Sequence, residues 1–137
     1  MPWDGNRGSV SKIMLWVGYL FSALPVLLLL FSGGMKVMQP ASVLEGFVRL
    51  GYPENLALGI GIVELACVAI YLAPPTSVLG AILLTGYLGG ATATHLRVGE
   101  PVFAPIILGM MVWAGLFFRD ARIRALIPLR EAFSDRT

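Results

Sequence analysis

The stretch LALGIGIVELACVAIYL, residues 56–72, decides the fold. It carries one charge, Glu64, near its middle, and no strict alternation of apolar and polar residues, so its period is not that of a half-buried strand. As an α-helix rising about 1.5 Å per residue it comes close to the roughly 30 Å of a hydrocarbon core. Inside lipid the backbone must satisfy its own hydrogen bonds, which selects a helix. Residues 13–31, 78–96 and 102–118 have the same character. The expected fold is all-α: an integral membrane four-helix bundle with short antiparallel connections. Its helices fall at about 13–35, 55–73, 77–96 and 102–119, in a single transmembrane domain over 1–130, followed by a short polar cytoplasmic tail at 131–137.

Composition agrees. The chain of 137 residues is 57% hydrophobic and 13% charged, too little polarity for the surface of a small water-soluble domain. With four spans, both termini and the Pro74–Ser77 turn share one side of the membrane. That side holds Arg7, Lys12, Arg119, Arg122, Arg124, Arg130 and Arg136, against Lys36, Arg49 and Arg97 on the other. The excess of positive charge places both termini of a multi-pass chain in the cytoplasm. The first apolar run exceeds a signal-peptide core and no small-residue cleavage site follows it, so it reads as an uncleaved helix. The lone Cys67 leaves no intramolecular disulfide. No aromatic-and-basic reading surface suggests nucleic acid.

Smaller signals organise the rest. Pro25 predicts a kink in the first helix, and Gly33-Gly34 loosens its end. After Pro40, Ser42 and Glu45 have capping-box spacing, and Glu45 with Arg49 forms an i,i+4 pair. Val43, Phe47 and Leu50 share one face, so a short interfacial amphipathic helix is expected between helices one and two. Pro53 and Glu54 suit the first turn of helix two, and Pro105 that of helix four. Gly86, Gly90 and Thr94 form a stripe at four-residue spacing of the helix-packing type, inside the chain or in a homo-oligomer. Residues 119–126 form a basic, partly amphipathic stretch ended by Pro128.

The residues with chemical content are Glu64, Lys36, His95 and Arg97. Glu64 lies about 12 Å from the start of its helix at 1.5 Å per residue, too deep for an interfacial role. A direct contact with Lys36 needs a long inward side chain or a deeper Lys36. Glu64 reads equally as a proton-handling group and as a structural tie; Lys36 and Arg97 also read as headgroup-seeking residues, and His95 as a helix-end hydrogen-bond partner. One histidine, one cysteine and scattered carboxylates have no metal-ligand spacing, and no phosphate loop or nucleophilic triad is present.

Four segments, residues 31–36, 50–53, 61–65 and 86–97, resemble the DoxX-like family of small bacterial four-helix membrane proteins. The resemblance extends from about residue 13 to residue 130. Lys36, Glu64, His95 and Arg97 match its pattern of a lysine closing helix one, a glutamate in helix two and a GYLGGA-x-A-T-H-x-R stretch in helix three. It implies a membrane bundle, and links to quinone-coupled sulfur oxidation and to membrane redox or detoxification assemblies. The expected function is a membrane subunit of a quinone-linked redox system, binding a small lipophilic molecule in its outer half. A non-catalytic scaffold or assembly subunit is the alternative and a small transporter the third reading. The catalytic residues are unknown, no intrinsic cofactor is evident, a quinone is the ligand the resemblance points to, and partners are the bilayer and proteins of a membrane complex.

Overall fold

The computed structural model describes residues 11–127. Among them the chain forms helices α1 (Lys12–Met38), α2 (Ala41–Arg49), α3 (Leu56–Leu72), α4 (Ser77–Arg97), α5 (Phe103–Arg119) and α6 (Ala121–Leu126), with a 3-10 turn at Pro74–Thr76 and no strand. α1 packs against α3 and α5, and α4 packs against the same two helices from the other side. The four long helices thus form a ring, α1–α3–α4–α5. α2 covers one end and α6 closes the other.

Local chemistry sets the boundaries. The Ser11 hydroxyl caps α1 by accepting the Met14 N–H at 3.3 Å. Gln39 ends the helix in the left-handed region (φ 55°), its N–H donating to the Met35 carbonyl. α1 continues through Pro25, which is fully buried. The core is a column of Val26, Leu29, Val68, Tyr71, Leu84, Leu88, Val112 and Leu116. Outside it, Trp16, Leu20, Leu27, Phe31, Ile62, Val63, Ile82, Phe103 and Met110 are exposed. In water such a continuous apolar surface would drive association, whereas against lipid tails it is the matching surface. Lys12–Met38 and the continuous segment Pro74–Arg97 are long and apolar enough to cross a membrane; α3 and α5 are shorter apolar helices of 17 residues each.

Helix contacts are made by glycines other than the expected stripe. A Cβ on Gly18 would lie 2.9 Å from the Arg119 Cβ, and one on Gly33 would lie 2.8 Å from Leu65. One on Gly61 would lie 2.7 Å from the Lys36 Cβ, and Gly80 and Gly115 would drive theirs into Tyr71 and Ser22. By contrast, Gly86, Gly89 and Gly90 face open space. Among the described residues the Gly86–Gly90 pair therefore joins no other helix.

Several local expectations are corrected. α1 runs past Gly33-Gly34 to Met38, because Gly33 is consumed in contact with α3 rather than in ending the helix. Pro40 holds the N-cap of α2, which moves Ser42 inside the helix, and no side-chain cap bond forms. Arg49 turns from Glu45 to Glu100, 3.2 Å away across the bundle end. Pro53 and Glu54 precede α3, which starts at Leu56 from a turn in which the Leu56 N–H donates to the Pro53 carbonyl. The polar tail at 131–137, Pro128, Arg7, Arg130 and Arg136 lie outside the described residues.

At the α6 end, Tyr71 supplies an internal polar tie. Its hydroxyl donates to the Val112 carbonyl at 2.9 Å and lies 2.9 Å from the Ser22 hydroxyl, which must then be the donor in that second bond. One phenol thereby joins α1, α3 and α5 in the apolar core.

Candidate functional site

Glu64 sits one turn after Gly61 on the same face of α3. Because Gly61 lacks a side chain, α1 comes close enough to place Lys36 over that face. The Lys36 Nζ lies 2.6 Å from Glu64 Oε2, a direct ion pair. α1 runs to Met38, three residues past its expected end, so Lys36 lies within the helix. Lys36 also donates to the Ser32 hydroxyl, one turn back on α1, at 2.6 Å. Tyr87 of α4 completes the group, its hydroxyl donating to the same Glu64 oxygen at 2.8 Å. Its ring centroid lies 5.8 Å from the lysine nitrogen, within cation–π range.

Burial divides the roles. Glu64 is 1% exposed, whereas the Lys36 side chain is 18% exposed. A carboxylate so enclosed is held by charge-assisted hydrogen bonds from both neighbours, which offset its desolvation. The lysine forms the outer side of the pair, and it lines a cavity of about 350 Å³ together with Phe47, Tyr52, Tyr87, Gly90 and His95. Gly86, Thr94, Leu50, Ile60 and Ala91 complete the wall. The stripe Gly86–Gly90–Thr94 is therefore a wall of this cavity, and its missing side chains supply the volume.

The four residues expected as one set are separated into two layers. Lys36 and Glu64 form the inner layer. His95 belongs to the rim: its Nδ1 donates to the Ala91 carbonyl at 2.7 Å, and its Nε2 lies 3.7 Å from a Glu100 oxygen. Arg97 does not line the cavity; it donates to the Leu50 carbonyl and lies 5.9 Å from the Tyr52 ring, pinning α2 and its following turn to the end of α4. The Tyr52 and Thr94 hydroxyls are 3.0 Å apart and add a second tie there. Arg49–Glu100 is a third, with Arg49 largely exposed.

Tyr87, Ser32, Tyr52 and Glu100 were not legible as site residues in the sequence. Tyr87 stands beside Gly86 in the motif stretch, and on a helix it falls eight residues before His95, so the two project on neighbouring faces. That spacing was the available signal. Tyr52 and Glu100 lie in connections, where no periodicity fixes direction. Among the described residues no group of three His, Cys, Asp or Glu side chains could hold a metal ion.

The cavity can offer hydrogen bonds of both kinds. An ammonium has three N–H donors, and Ser32 and Glu64 occupy two, leaving one for the cavity. A neutral His95 that donates from Nδ1 presents Nε2 as an acceptor. The remaining wall is mainly apolar.

The model of the DoxX-like family matches residues 20–115, a span that includes Lys36, Glu64, Tyr87, His95 and Arg97. Comparison with curated proteins and with solved structures gives no match.

Proposed function

The chain belongs to the DoxX-like family and is a membrane protein, and from that premise we propose that it is a membrane-embedded subunit binding a small lipophilic molecule with a carbonyl or hydroxyl head, best fitted by a quinone, in the cavity at the α2 end. The observation that carries this reading is Lys36, with a third N–H that has no partner among the described residues, in a mainly apolar cavity of about 350 Å³. That volume falls within the range of small-molecule sites, roughly 300–1,000 Å³, and the mixture of apolar wall and few polar points is typical of them.

The residues fit such a ligand. A carbonyl oxygen accepts from the third Lys36 N–H, and a hydroxyl donates to His95 Nε2. Phe47, Ile60 and the bare backbone at Gly86 and Gly90 receive an apolar ring. A quinone bound here would supply two-electron, two-proton chemistry, with the electrons exchanged with a partner protein of a membrane redox complex. Lys36 orients the head and holds a proton at its ammonium. Glu64 pairs with that ammonium and accepts from Tyr87.

The same reading has all four long helices crossing the bacterial inner membrane. The α6 end, with Lys12, Arg119, Arg122 and Arg124, faces the cytoplasm, and the cavity opens toward the other side. The enclosed state of Glu64 favours one alternative, a scaffold subunit in which the Lys36–Glu64 pair is a structural tie alone.

Gly90→Leu separates the two. Position 90 faces open space and lines the cavity, so a leucine enters the site with its Cβ free of collision. Wild-type protein in mild detergent should retain a quinone-like molecule detectable by mass spectrometry and bind decylubiquinone on titration. Gly90→Leu should lose both and keep its thermal midpoint. Equal decylubiquinone binding by the two proteins, or none by either, removes the ligand-binding reading and leaves the scaffold.

A further inference from the structure

The α6 end holds a second cavity, of about 280 Å³, unrelated to the first. Tyr19, Ser77, Arg119, Asp120, Ala121 and Arg122 line it, and its surface is mainly polar. Arg119 is its central cation. The Arg119 Nε is fully enclosed and has no hydrogen-bond partner among the described residues. No carboxylate of those residues lies within ion-pair distance of its guanidinium either. Its neighbour Asp120 is turned to Arg122, accepting from the Arg122 backbone N–H at 2.9 Å and from the Arg122 Nε at 3.4 Å.

The fold nonetheless holds Arg119 in place. Gly18 of α1 admits the α5 backbone at this residue, where any larger side chain would collide with the Arg119 Cβ. The guanidinium carbon lies 5.4 Å from the Tyr71 ring and 6.0 Å from the Tyr19 ring. Those faces attract a cation but accept none of its directed hydrogen bonds, which a guanidinium offers in a planar fork suited to oxyanions. Arg122, largely exposed, stands at the rim with a second guanidinium.

We propose that this cavity binds a phosphate-type oxyanion through Arg119, with Arg122 as the outer contact, and that the ligand is the headgroup of an anionic phospholipid. Two arginines and one aspartate give the lining a net charge of +1, which matches a phosphodiester monoanion. The Asp120 and Ser77 side chains offer polar contacts to a hydroxylated headgroup. The cavity also borders Tyr19, whose ring is exposed on the apolar outer surface, so acyl chains can continue along α1. Free phosphate has the same oxyanion chemistry and lacks that continuation.

The test is native mass spectrometry on the full chain in phosphatidylcholine micelles, with phosphatidylglycerol added in one arm and inorganic phosphate in another. The expected result is one phosphatidylglycerol retained per chain where phosphatidylcholine is shed. Arg119→Gln should weaken retention about tenfold, the scale of one lost charge-assisted contact. Ala121→Glu leaves Arg119 and its packing intact but sets a carboxylate in the cavity wall, and should weaken it similarly. This second variant decides the matter if Arg119→Gln does not fold. Arg124→Gln, outside the cavity, removes the same charge and should change nothing. Competition by inorganic phosphate at equal concentration would keep the oxyanion site but replace its lipid occupant. The proposal fails if phosphatidylcholine is held as well as phosphatidylglycerol, if the cavity variants bind like wild type, or if Arg124→Gln weakens binding as much as they do.

Discussion

The two ends of the bundle solve the problem of a buried charge in opposite ways. At the α2 end Glu64 is enclosed and paired, with Lys36 at 2.6 Å and the Tyr87 hydroxyl at 2.8 Å. At the α6 end Arg119 has aromatic faces and, among the described residues, no carboxylate within ion-pair distance. A neutral pair in low dielectric can be permanent structure, because each ion compensates the other. A lone cation with an enclosed, unused donor is an incomplete arrangement. The difference teaches that depth alone does not identify function: the deepest charge is the better satisfied one, and the chemical opportunity lies in the spare donor of its partner.

The sharpest way to break this comparison is to unpair Glu64. Lys36→Met should lower stability by about 3–5 kcal/mol, the cost of stranding a buried ion, read as a fall in the unfolding midpoint in detergent. Adding Glu64→Leu should restore most of that loss, since an apolar pair of similar volume requires no desolvation. A double variant as unstable as the single one would show that the pair is more than charge compensation. Next in size, Gly80→Ala forces a methyl group into the Tyr71 backbone and should cost about 1–3 kcal/mol by overpacking, measured in the same way. Tyr71→Phe should cost about 1–2 kcal/mol, removing the bond to the Val112 carbonyl and stranding the Ser22 hydroxyl while leaving the ring that faces Arg119. Comparable losses for Tyr71→Phe and Lys36→Met would erase the distinction between the ends. Smallest of all, Gly86→Ala should change stability by less than about 0.5 kcal/mol, because its added methyl group meets only open space.

Legibility in the sequence followed physical range. Helix positions were readable because each apolar run carries its own length and period, and α3 coincides with residues 56–72 as quoted. Glu64 and Lys36 stood out because charges are rare in such runs. Small-residue patterns were ambiguous. Gly86 and Gly90 have the spacing associated with helix packing and line a cavity, while the contacts are made by Gly18, Gly33, Gly61, Gly80 and Gly115. A glycine looks the same in sequence whether it faces a helix, a cavity or lipid. Pairing choices were equally hidden: Arg49 had a partner in helical register at Glu45 and chose Glu100, because the end of the bundle brings α2 and the α4–α5 connection together.

The sequence by itself determined an all-helical, apolar chain, its family, and the fact that Glu64 needed compensation, since these depend on composition and on neighbours along the chain. Only the tertiary structure decided that Lys36 is the partner, that Tyr87 shares it, that His95 and Arg97 have separate contacts, and that Arg119 meets no carboxylate among the described residues. Those outcomes depend on helix crossings set by close approach at a few glycines. A shift of one turn in any crossing would bring different side chains together without altering a single local signal.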